Sequence, residues 1–108
     1  MVVIFVALGY YPLRMAGEKR GSDNWAVTPH ARFQMGRRGI SEEELGRVLR
    51  DPEEILEVSP HRFVYQSRLQ RRGKVYLLRV VVDVGTKVPE VVTAYLTSKV
   101  SKYVQGGR

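Results

Sequence analysis

The 108-residue chain contains no cysteine and only two histidines, and each shortage excludes a class of site. Without cysteine there is no disulfide scaffold, no thiolate metal site and no cysteine nucleophile. With His30 and His61 alone, a histidine-rich metal centre is not expected. No apolar run reaches the roughly 18 residues that a membrane-spanning helix needs. These absences predict a small, soluble, cytoplasmic domain that uses no metal or other cofactor.

Positive charge is abundant and unevenly placed. The chain has 18 Lys and Arg against 11 Asp and Glu, a formal net charge of +7. Residues 61–108 hold ten basic and two acidic side chains, whereas residues 28–60 are mildly acidic. A small basic domain often binds a polyanion, because each neutralised phosphate releases condensed counterions. The charge therefore indicates nucleic-acid contact, with solubilising surface charge as the open alternative.

The N-terminal 24 residues differ in character from the rest of the chain. The apolar run from Val2 to Leu8 lacks the preceding positive charge of a secretory signal, and one interpretation is a buried strand. The other is a start codon assigned too early, since Met15 opens a plausible shorter chain. Ala16 to Asn24 has the Gly, Ser and charge content of a linker. We therefore expect residues 1–24 to be an extension and residues 25–105 to form a single domain.

Two helices are predicted from their start and stop signals. The first begins after Thr28, a good N-cap that precedes a proline, and stops at Gly39. The second begins with a capping box of Ser41 and Glu44. It ends at Asp51–Pro52, because the residue before a proline disfavours the helical conformation.

After the second helix the hydrophobic period changes to the alternation of strands. Strands are predicted at residues 55–58, 62–69, 74–83 and 90–97, with a short one at 25–27 and a terminal helix or extension at 98–103. The order predicts an α+β fold. In it, a short N-terminal strand precedes two helices packed on one face of an antiparallel β-sheet of about four strands.

Alternation along the last two strands divides their side chains between two faces. The row expected under the helices comprises Leu78, Val80 and Val82 with Val92, Ala94 and Leu96. Arg79, Thr93 and Tyr95 then lie on the opposite, solvated face. The strand at 62–69 is open to two registers, because a slip by one residue exchanges its faces. The outward set of that strand is either Phe63, Tyr65 and Ser67 or Val64, Gln66 and Arg68.

This outer face is the candidate site. Arginine and tyrosine on a solvated sheet suit phosphate clamping and base stacking. The predicted catalytic residues are His30 as acid/base, Arg79 as phosphate clamp and Tyr95 as base stacker or proton donor. The predicted nucleic-acid contacts are Arg38, Tyr65, Arg68, Thr93 and Lys99. Each residue also has an ordinary structural interpretation as a solvated strand, helix-cap or helix-end side chain.

The string HARFQMGRRGISEEELGRVLRDPEEILE begins at His30. With RFVYQSR, YLLRVVVD and VVTAYLTSK behind it, it resembles the small bacterial and archaeal proteins called domain of unknown function 4258. The resemblance extends from about Trp25 to Tyr103. That family is similar to the RelE and ParE toxin superfamily and to BrnT-like toxins. The resemblance implies a RelE-like fold and a role as the toxin of a toxin–antitoxin pair.

Two functions follow as hypotheses. RelE-like members cut messenger RNA, often on the ribosome, so the resemblance implies a metal-independent endoribonuclease with RNA and a cognate antitoxin as partners. Attack by the ribose 2′-hydroxyl would need a proton acceptor, a proton donor and cations. The alternative is a non-catalytic basic binding module for nucleic acid or for a protein target such as DNA gyrase, which ParE-like members inhibit.

Overall fold

The computed structural model describes the backbone of residues 3–4 and all of residues 24–104. In chain order the elements are β1 (Val3–Ile4), β2 (Ala26–Val27), α1 (Pro29–Arg38), α2 (Glu42–Arg50), β3 (Glu54–Ser59), β4 (Arg62–Arg71), β5 (Lys74–Asp83), β6 (Glu90–Thr97) and α3 (Val100–Tyr103). Of the expected N-terminal strand, only Val3–Ile4 is described. The expected linker lies outside the described residues except for Asn24.

Helix α1 begins and ends where its sequence signals predict. The Thr28 hydroxyl accepts a hydrogen bond from the Ala31 N–H at 3.1 Å, which satisfies one of the unpaired donors of the first turn. Gly39 has a φ of 67°, the left-handed conformation that ends a helix and that glycine adopts without steric cost. Ala31 and Met35 lie one turn apart and are both buried. The prediction of this helix is confirmed.

Helix α2 begins with the predicted capping box. Ser41 Oγ accepts from the Glu44 N–H, and Glu44 Oε1 accepts from the Ser41 N–H, both at 3.0 Å. Arg71 Nη2 donates to both Glu44 carboxylate oxygens, at 2.9 and 3.0 Å, and so ties the start of α2 to β4. The helix ends before Pro52, as predicted. Its buried apolar stripe comprises Leu45, Val48 and Leu49.

The sheet is mixed rather than purely antiparallel. Its strand order is β1-β3-β4-β5-β6-β2, and strands β3 to β6 form an antiparallel meander. β1 pairs with β3, and β2 with β6, both in parallel orientation. The prediction of about four antiparallel strands is therefore correct for the meander and wrong for the sheet. Two-residue edge strands carry too short a pattern to reveal a partner that lies far along the chain.

The register of β4 determines which of its side chains meet the helices. Phe63 lies opposite Val82 and Tyr65 opposite Val80, so both aromatic rings join the core beneath α1 and α2. Tyr65 is only 6% exposed, and burial raises the pKa of its phenol. The register in which Tyr65 points outward is therefore wrong, and its ring is not on a surface where a base could stack.

A β-bulge in β6 shifts its inward row. Val82 lies opposite Val91 and Val80 opposite Ala94, so β6 uses one more residue than β5 over this stretch. Val91 is fully buried, whereas Val92 is half-buried. The expectation that Val92 points inward is wrong, because strict alternation does not anticipate the extra residue.

The turn between β4 and β5 sets their register. Arg72 and Gly73 have φ values of 57° and 76°, as a two-residue type I′ turn requires. Such a turn matches the right-handed twist of the strands that it joins. The turn places Arg71 opposite Lys74, and every later pair of the two strands follows from that one.

The contacts of the Glu44 carboxylate predict a pH-dependent contribution to the free energy of unfolding. Partial burial raises the pKa of Glu44, but the hydrogen bonds from Ser41 and Arg71 and the charge of Arg71 outweigh it, so the pKa lies below its ordinary value of 4.5. We expect Glu44→Gln to lower the free energy of unfolding by about 1 kcal/mol at neutral pH. Since the folded-state pKa is depressed, this difference should be lost as the pH falls through it.

Urea denaturation of both proteins between about pH 7 and about pH 3 measures this difference. Glu43→Gln is the matched control, because Glu43 lies in the same first turn, is exposed, and its side chain makes no hydrogen bond to a described residue. Equal effects of the two substitutions at neutral pH would contradict the stabilising role of the Glu44 contacts.

Candidate functional site

The sheet face away from α1 and α2, called the far face below, carries a row of polar side chains. Glu54, Gln66, Arg79 and Tyr95 lie directly opposite one another across β3, β4, β5 and β6. We call these four residues the polar row. Directly opposed side chains of antiparallel strands are close enough to bond to each other.

Hydrogen bonds join the polar row from one end to the other. Gln66 Nε2 donates to Glu54 Oε1 at 2.6 Å, and Arg79 Nε donates to Gln66 Oε1 at 2.8 Å. Arg79 Nη1 donates to the Tyr95 hydroxyl at 2.5 Å. The neutral amide of Gln66 thus donates to the Glu54 carboxylate and accepts from the Arg79 guanidinium, so it bridges the two charged groups.

Helix α3 covers the middle of the polar row. The Tyr103 carbonyl accepts a second hydrogen bond from Gln66 Nε2 at 3.1 Å. The guanidinium carbon of Arg79 lies 4.1 Å from the centroid of the Tyr103 ring and 5.7 Å from that of Tyr95. The negative face of an aromatic ring attracts a cation, more strongly where water is excluded. The predicted terminal helix is therefore present, and it caps this row.

The polar row is withdrawn from solvent. Glu54 is 6% exposed, Gln66 is 0% exposed and Arg79 is 9% exposed. The expectation that Arg79 stands on a solvated face is therefore wrong. A buried guanidinium needs partners that replace water, and Gln66, Tyr95 and Tyr103 provide them. Through these contacts Arg79 has a structural role, because it links neighbouring strands and α3 on the far face.

His30 lies on the other side of the sheet from Arg79 and Tyr95. It is exposed in the first turn of α1, and α1 packs on the face that carries Leu78 and Val80. Arg79, between those two residues on β5, points to the far face. Of the three predicted catalytic residues, the structure brings Arg79 and Tyr95 into contact and leaves His30 apart.

Arg38 and Arg68 are exposed, and both already have protein partners. Arg38 Nη1 donates to the Ala94 carbonyl at 3.0 Å, on the outer edge of β6. Arg68 Nε pairs with Glu53 Oε1 at 3.1 Å. A side chain on an edge carbonyl hinders the addition of another strand. Both arginines therefore have a structural role, and a nucleic acid would compete with these protein contacts for their guanidinium groups.

Thr93 and Lys99 flank the polar row. Thr93 is half-buried on the far face, opposite Val81 and two residues before Tyr95 along β6. Lys99 is exposed at the start of α3. Lys99 therefore presents a positive charge to solvent, whereas Thr93 is neutral.

Sequence reasoning missed three members of this arrangement, namely Glu54, Gln66 and Tyr103. For Gln66 a signal existed, because a glutamine alternating with apolar residues in a long strand needs a hydrogen-bond partner when buried. For Glu54 and Tyr103 there was none, since acidic residues and a terminal tyrosine are ordinary on a surface.

One end of the molecule collects cations that have no acidic partner. The β4–β5 turn meets the end of α1 there, since Arg71 Nη2 donates to the Gly39 carbonyl at 3.1 Å. β6 ends at the same place, with Thr97 opposite Leu77. We call basic end the five exposed side chains carried by these elements and by α3, which follows β6: Arg37, Arg72, Lys74, Lys99 and Lys102. None of the five forms an ion pair with a described residue.

Three cations of the basic end lie beside aromatic rings. Arg37 lies 5.9 Å from the centroid of the Phe33 ring, Lys74 lies 5.7 Å from that of Tyr76, and Lys102 lies 5.2 Å from that of Tyr103. Phe33 is 62% exposed. Proteins that bind single strands combine cations for the phosphates with aromatic faces for the bases.

The described residues hold neither a metal-binding cluster nor a membrane-spanning helix. Residues 24–104 contain no group of three or more His, Asp or Glu side chains placed to hold a metal ion. The helices of the same residues include none that is long and apolar enough to cross a membrane.

Comparison with known proteins gave one match. Residues 27–96, well over half of the chain, match the family described as Domain of unknown function (DUF4258). No curated protein and no solved structure matches the chain significantly.

The polar row predicts a large effect of one buried amide. Gln66→Leu would remove one buried hydrogen-bond partner from Glu54 and one from Arg79, so we expect the free energy of unfolding to fall by about 3 kcal/mol. Tyr103→Phe is the control, because it keeps the ring over Arg79 and the carbonyl that binds Gln66. Its effect should stay within about 0.5 kcal/mol. Urea denaturation compares the two, and a Gln66→Leu variant as stable as the wild type would contradict the prediction.

Proposed function

The chain belongs to the DUF4258 family, whose description names no activity, and we propose that this member binds single-stranded RNA through its basic end. The observation that carries the proposal is the set of five exposed cations without acidic partners, three of which lie over aromatic rings. Cations without an acidic partner are available to phosphates, because no protein ion pair has to break first.

The chemistry of the basic end favours a single strand over a folded duplex. Phe33 exposes most of its surface, and an unpaired base can stack on such a ring, whereas a paired base is already stacked within its helix. Lys74 lies beside Tyr76, so a phosphate and the base next to it would find their partners together. The polar row stays beneath this surface and holds the sheet that carries it.

Two matched lysines test the location of the contact. We expect Lys74→Ala to weaken binding of a fluorescein-labelled single-stranded RNA and to reduce the slope of log K against log salt by about 0.7. Lys87→Ala should change neither quantity, because Lys87 is an exposed lysine of the β5–β6 connection at the opposite end of the sheet. Fluorescence anisotropy at several salt concentrations measures both, and equal effects of the two substitutions would contradict the proposal.

Phe33 tests the stacking component separately from charge. Phe33→Ala should weaken binding by about 1–3 kcal/mol and leave the salt slope unchanged, because the lost contact is with a base rather than a phosphate. Phe33→Trp should retain binding. A Phe33→Ala variant that binds RNA as tightly as the wild type would contradict base stacking on Phe33. The binding that remained would be explained by electrostatic attraction to the phosphates alone.

A second candidate function, which rests only on the resemblance of the sequence to RelE-type proteins, is a metal-independent endoribonuclease toxin. One contact favours it: the Tyr95 oxygen accepts a hydrogen bond from Arg79, so its own proton remains available for donation to a leaving oxygen. In this candidate Arg79 is a positioning residue that acts through Tyr95. His30 has no part in this arrangement, since the sheet separates it from the pair.

Induced expression in bacteria distinguishes the two candidates, with growth and total RNA integrity followed together. If the protein is a ribonuclease toxin, the wild type should arrest growth and degrade RNA, and Tyr95→Phe should reduce cleavage roughly 10²–10⁴-fold. Arrest with intact RNA, or normal growth, would favour the binding module. Arg79→Ala is a poor variant for this experiment, because loss of a buried cation also disturbs the fold.

A further inference from the structure

Helix α1 carries a row of exposed residues on the side that faces away from the sheet. We call α1 stripe the four exposed residues that lie within about 120° of the helix circumference: His30, Phe33, Gly36 and Arg37. Phe33 lies nearly half a turn from Ala31 and from Met35, the two buried residues of the helix, so its ring points to solvent. The α1 stripe is therefore a surface that the helix does not use for its own packing.

Three residues of the α1 stripe depart from the chemistry that stabilises a helix. His30 occupies the first turn, where the helix dipole favours an acid. Gly36 lies within the helix, where alanine would be more stable. Phe33 is 62% exposed, which is ordinary for a single phenylalanine but not for one that shares its face with two other such departures. Local rules that are broken together without a structural gain are typical of functional sites.

Helix α2 provides a contrast within the same chain. Its first turn holds acids and a complete capping box, as the helix dipole favours. Its glycine has a packing reason, because Gly46 is buried and a Cβ there would lie 2.9 Å from the Arg50 side chain. A Cβ at Gly36 would meet no described atom within 4 Å. Packing therefore does not require glycine at Gly36, and its presence leaves the backbone of α1 accessible to a group that approaches closely.

The charge of α1 has one sign. The helix contains three arginines and neither Asp nor Glu. The Glu42 carboxylate of α2 pairs with Arg32 at 2.7 Å, so it does not offset the charge of Arg37. The side chain of His30 makes no hydrogen bond with a described residue, and its ring is free to donate one. These charges favour an anionic ligand over a cationic one.

The residues of the α1 stripe suit a nucleotide. An unpaired base can stack on the exposed ring of Phe33, and the Arg37 guanidinium lies 5.9 Å from the centroid of that ring, within reach of the phosphate of the same nucleotide. An acidic polypeptide is less suitable. A stable protein interface buries about 800 Å² on each partner, which one ring beside bare helix backbone does not supply.

We propose that the α1 stripe is a nucleotide subsite, along which the bound RNA strand runs from the basic end toward the start of α1. A base stacks on Phe33 and lies over Gly36, Arg37 binds the phosphate of that nucleotide, and His30 donates a hydrogen bond to a nucleotide further along the strand. His30 and Arg37 lie roughly 10 Å apart along the helix axis, so a strand that touches both spans more than one nucleotide. The inference rests on the proposed RNA binding and adds to it the path of the strand.

Gly36→Gln tests the subsite without weakening the helix. Glutamine is a better helix former than glycine and its Cβ has free space, so the midpoint of urea denaturation should stay unchanged or rise. Binding of a fluorescein-labelled eight-nucleotide RNA should nevertheless weaken about 5- to 10-fold, because the new side chain lies where the base approaches the backbone. Glu43→Gln places the same side chain at an exposed position of α2, and it should not weaken binding. Equal binding by Gly36→Gln and the wild type would overturn the proposal.

The two histidines of the chain test the path of the strand. His30→Asn should weaken binding of the same RNA about 3-fold, because a hydrogen bond to the strand is lost. His61→Asn is the matched control, since His61 is exposed in the β3–β4 turn and has a φ of 72°, which asparagine also adopts. It should leave binding unchanged, and equal effects of the two substitutions would contradict a strand that runs along α1.

An RNA in which one ribose lacks its base locates the stacked nucleotide from the side of the ligand. As the abasic ribose is moved along the oligomer, binding to the wild type should weaken most at one position. At that position the missing base should have little further effect on Phe33→Ala, because the stack is already lost. Additive losses at every position would overturn stacking on Phe33.

Lys74→Ala separates this inference from the proposed function. If Lys74→Ala weakens binding and Gly36→Gln does not, the RNA binds the basic end by another path and only the α1 subsite is wrong. If neither substitution weakens binding, the proposed function fails as well. Poly-L-glutamate of the same total charge should compete poorly with the labelled RNA. Competition as strong as that of unlabelled RNA, and lost in Gly36→Gln, would assign the α1 stripe to an acidic polypeptide instead.

Discussion

The pairing of β4 with β5 is the constraint on which the rest of the structure depends. The left-handed pair Arg72–Gly73 places Arg71 opposite Lys74, and the strands then pair without a shift as far as Arg62 and Asp83. This register places Gln66 opposite Arg79 on the far face and Tyr65 opposite Val80 under the helices. A slip by one residue would exchange the faces, burying an amide among apolar side chains and exposing the aromatic ring.

The polar row shows how a sheet can bury charge on a face that its helices do not cover. Gln66 lies between Glu54 and Arg79 and satisfies both, so neither charged group is left without a partner. α3 completes the arrangement with one carbonyl and one ring from the same residue. Removing any member would leave the others partly unsatisfied, so the row favours one alignment of four strands over its neighbours.

Burial of the polar row separates its arginine from the cations that reach solvent. Arg79, which the sequence predicts as the phosphate clamp, is enclosed by Gln66, Tyr95 and Tyr103. The exposed cations of the basic end lie elsewhere, on the β4–β5 hairpin, on α1 and around α3.

The sequence by itself determined the local elements. Helix boundaries depend on caps within a few residues, and Thr28, Gly39 and the Ser41–Glu44 box therefore predicted α1 and α2 correctly. The lengths of β5 and β6 followed from alternation and turn residues in the same way. For the candidate site, the sequence could predict the contact of Arg79 with Tyr95, because alternation placed both side chains on the same face of the sheet.

Only the tertiary structure decided what depends on distant parts of the chain. The parallel edge strands, the bulge that turns Val91 inward and the burial of Arg79 beneath Tyr103 all involve partners outside any local window. The separation of His30 from Arg79 is of the same kind, since it depends on which sheet face the helices cover. Local preferences choose the elements, but the relative placement of the elements is set by packing and by hydrogen bonds between residues that the sequence does not place together.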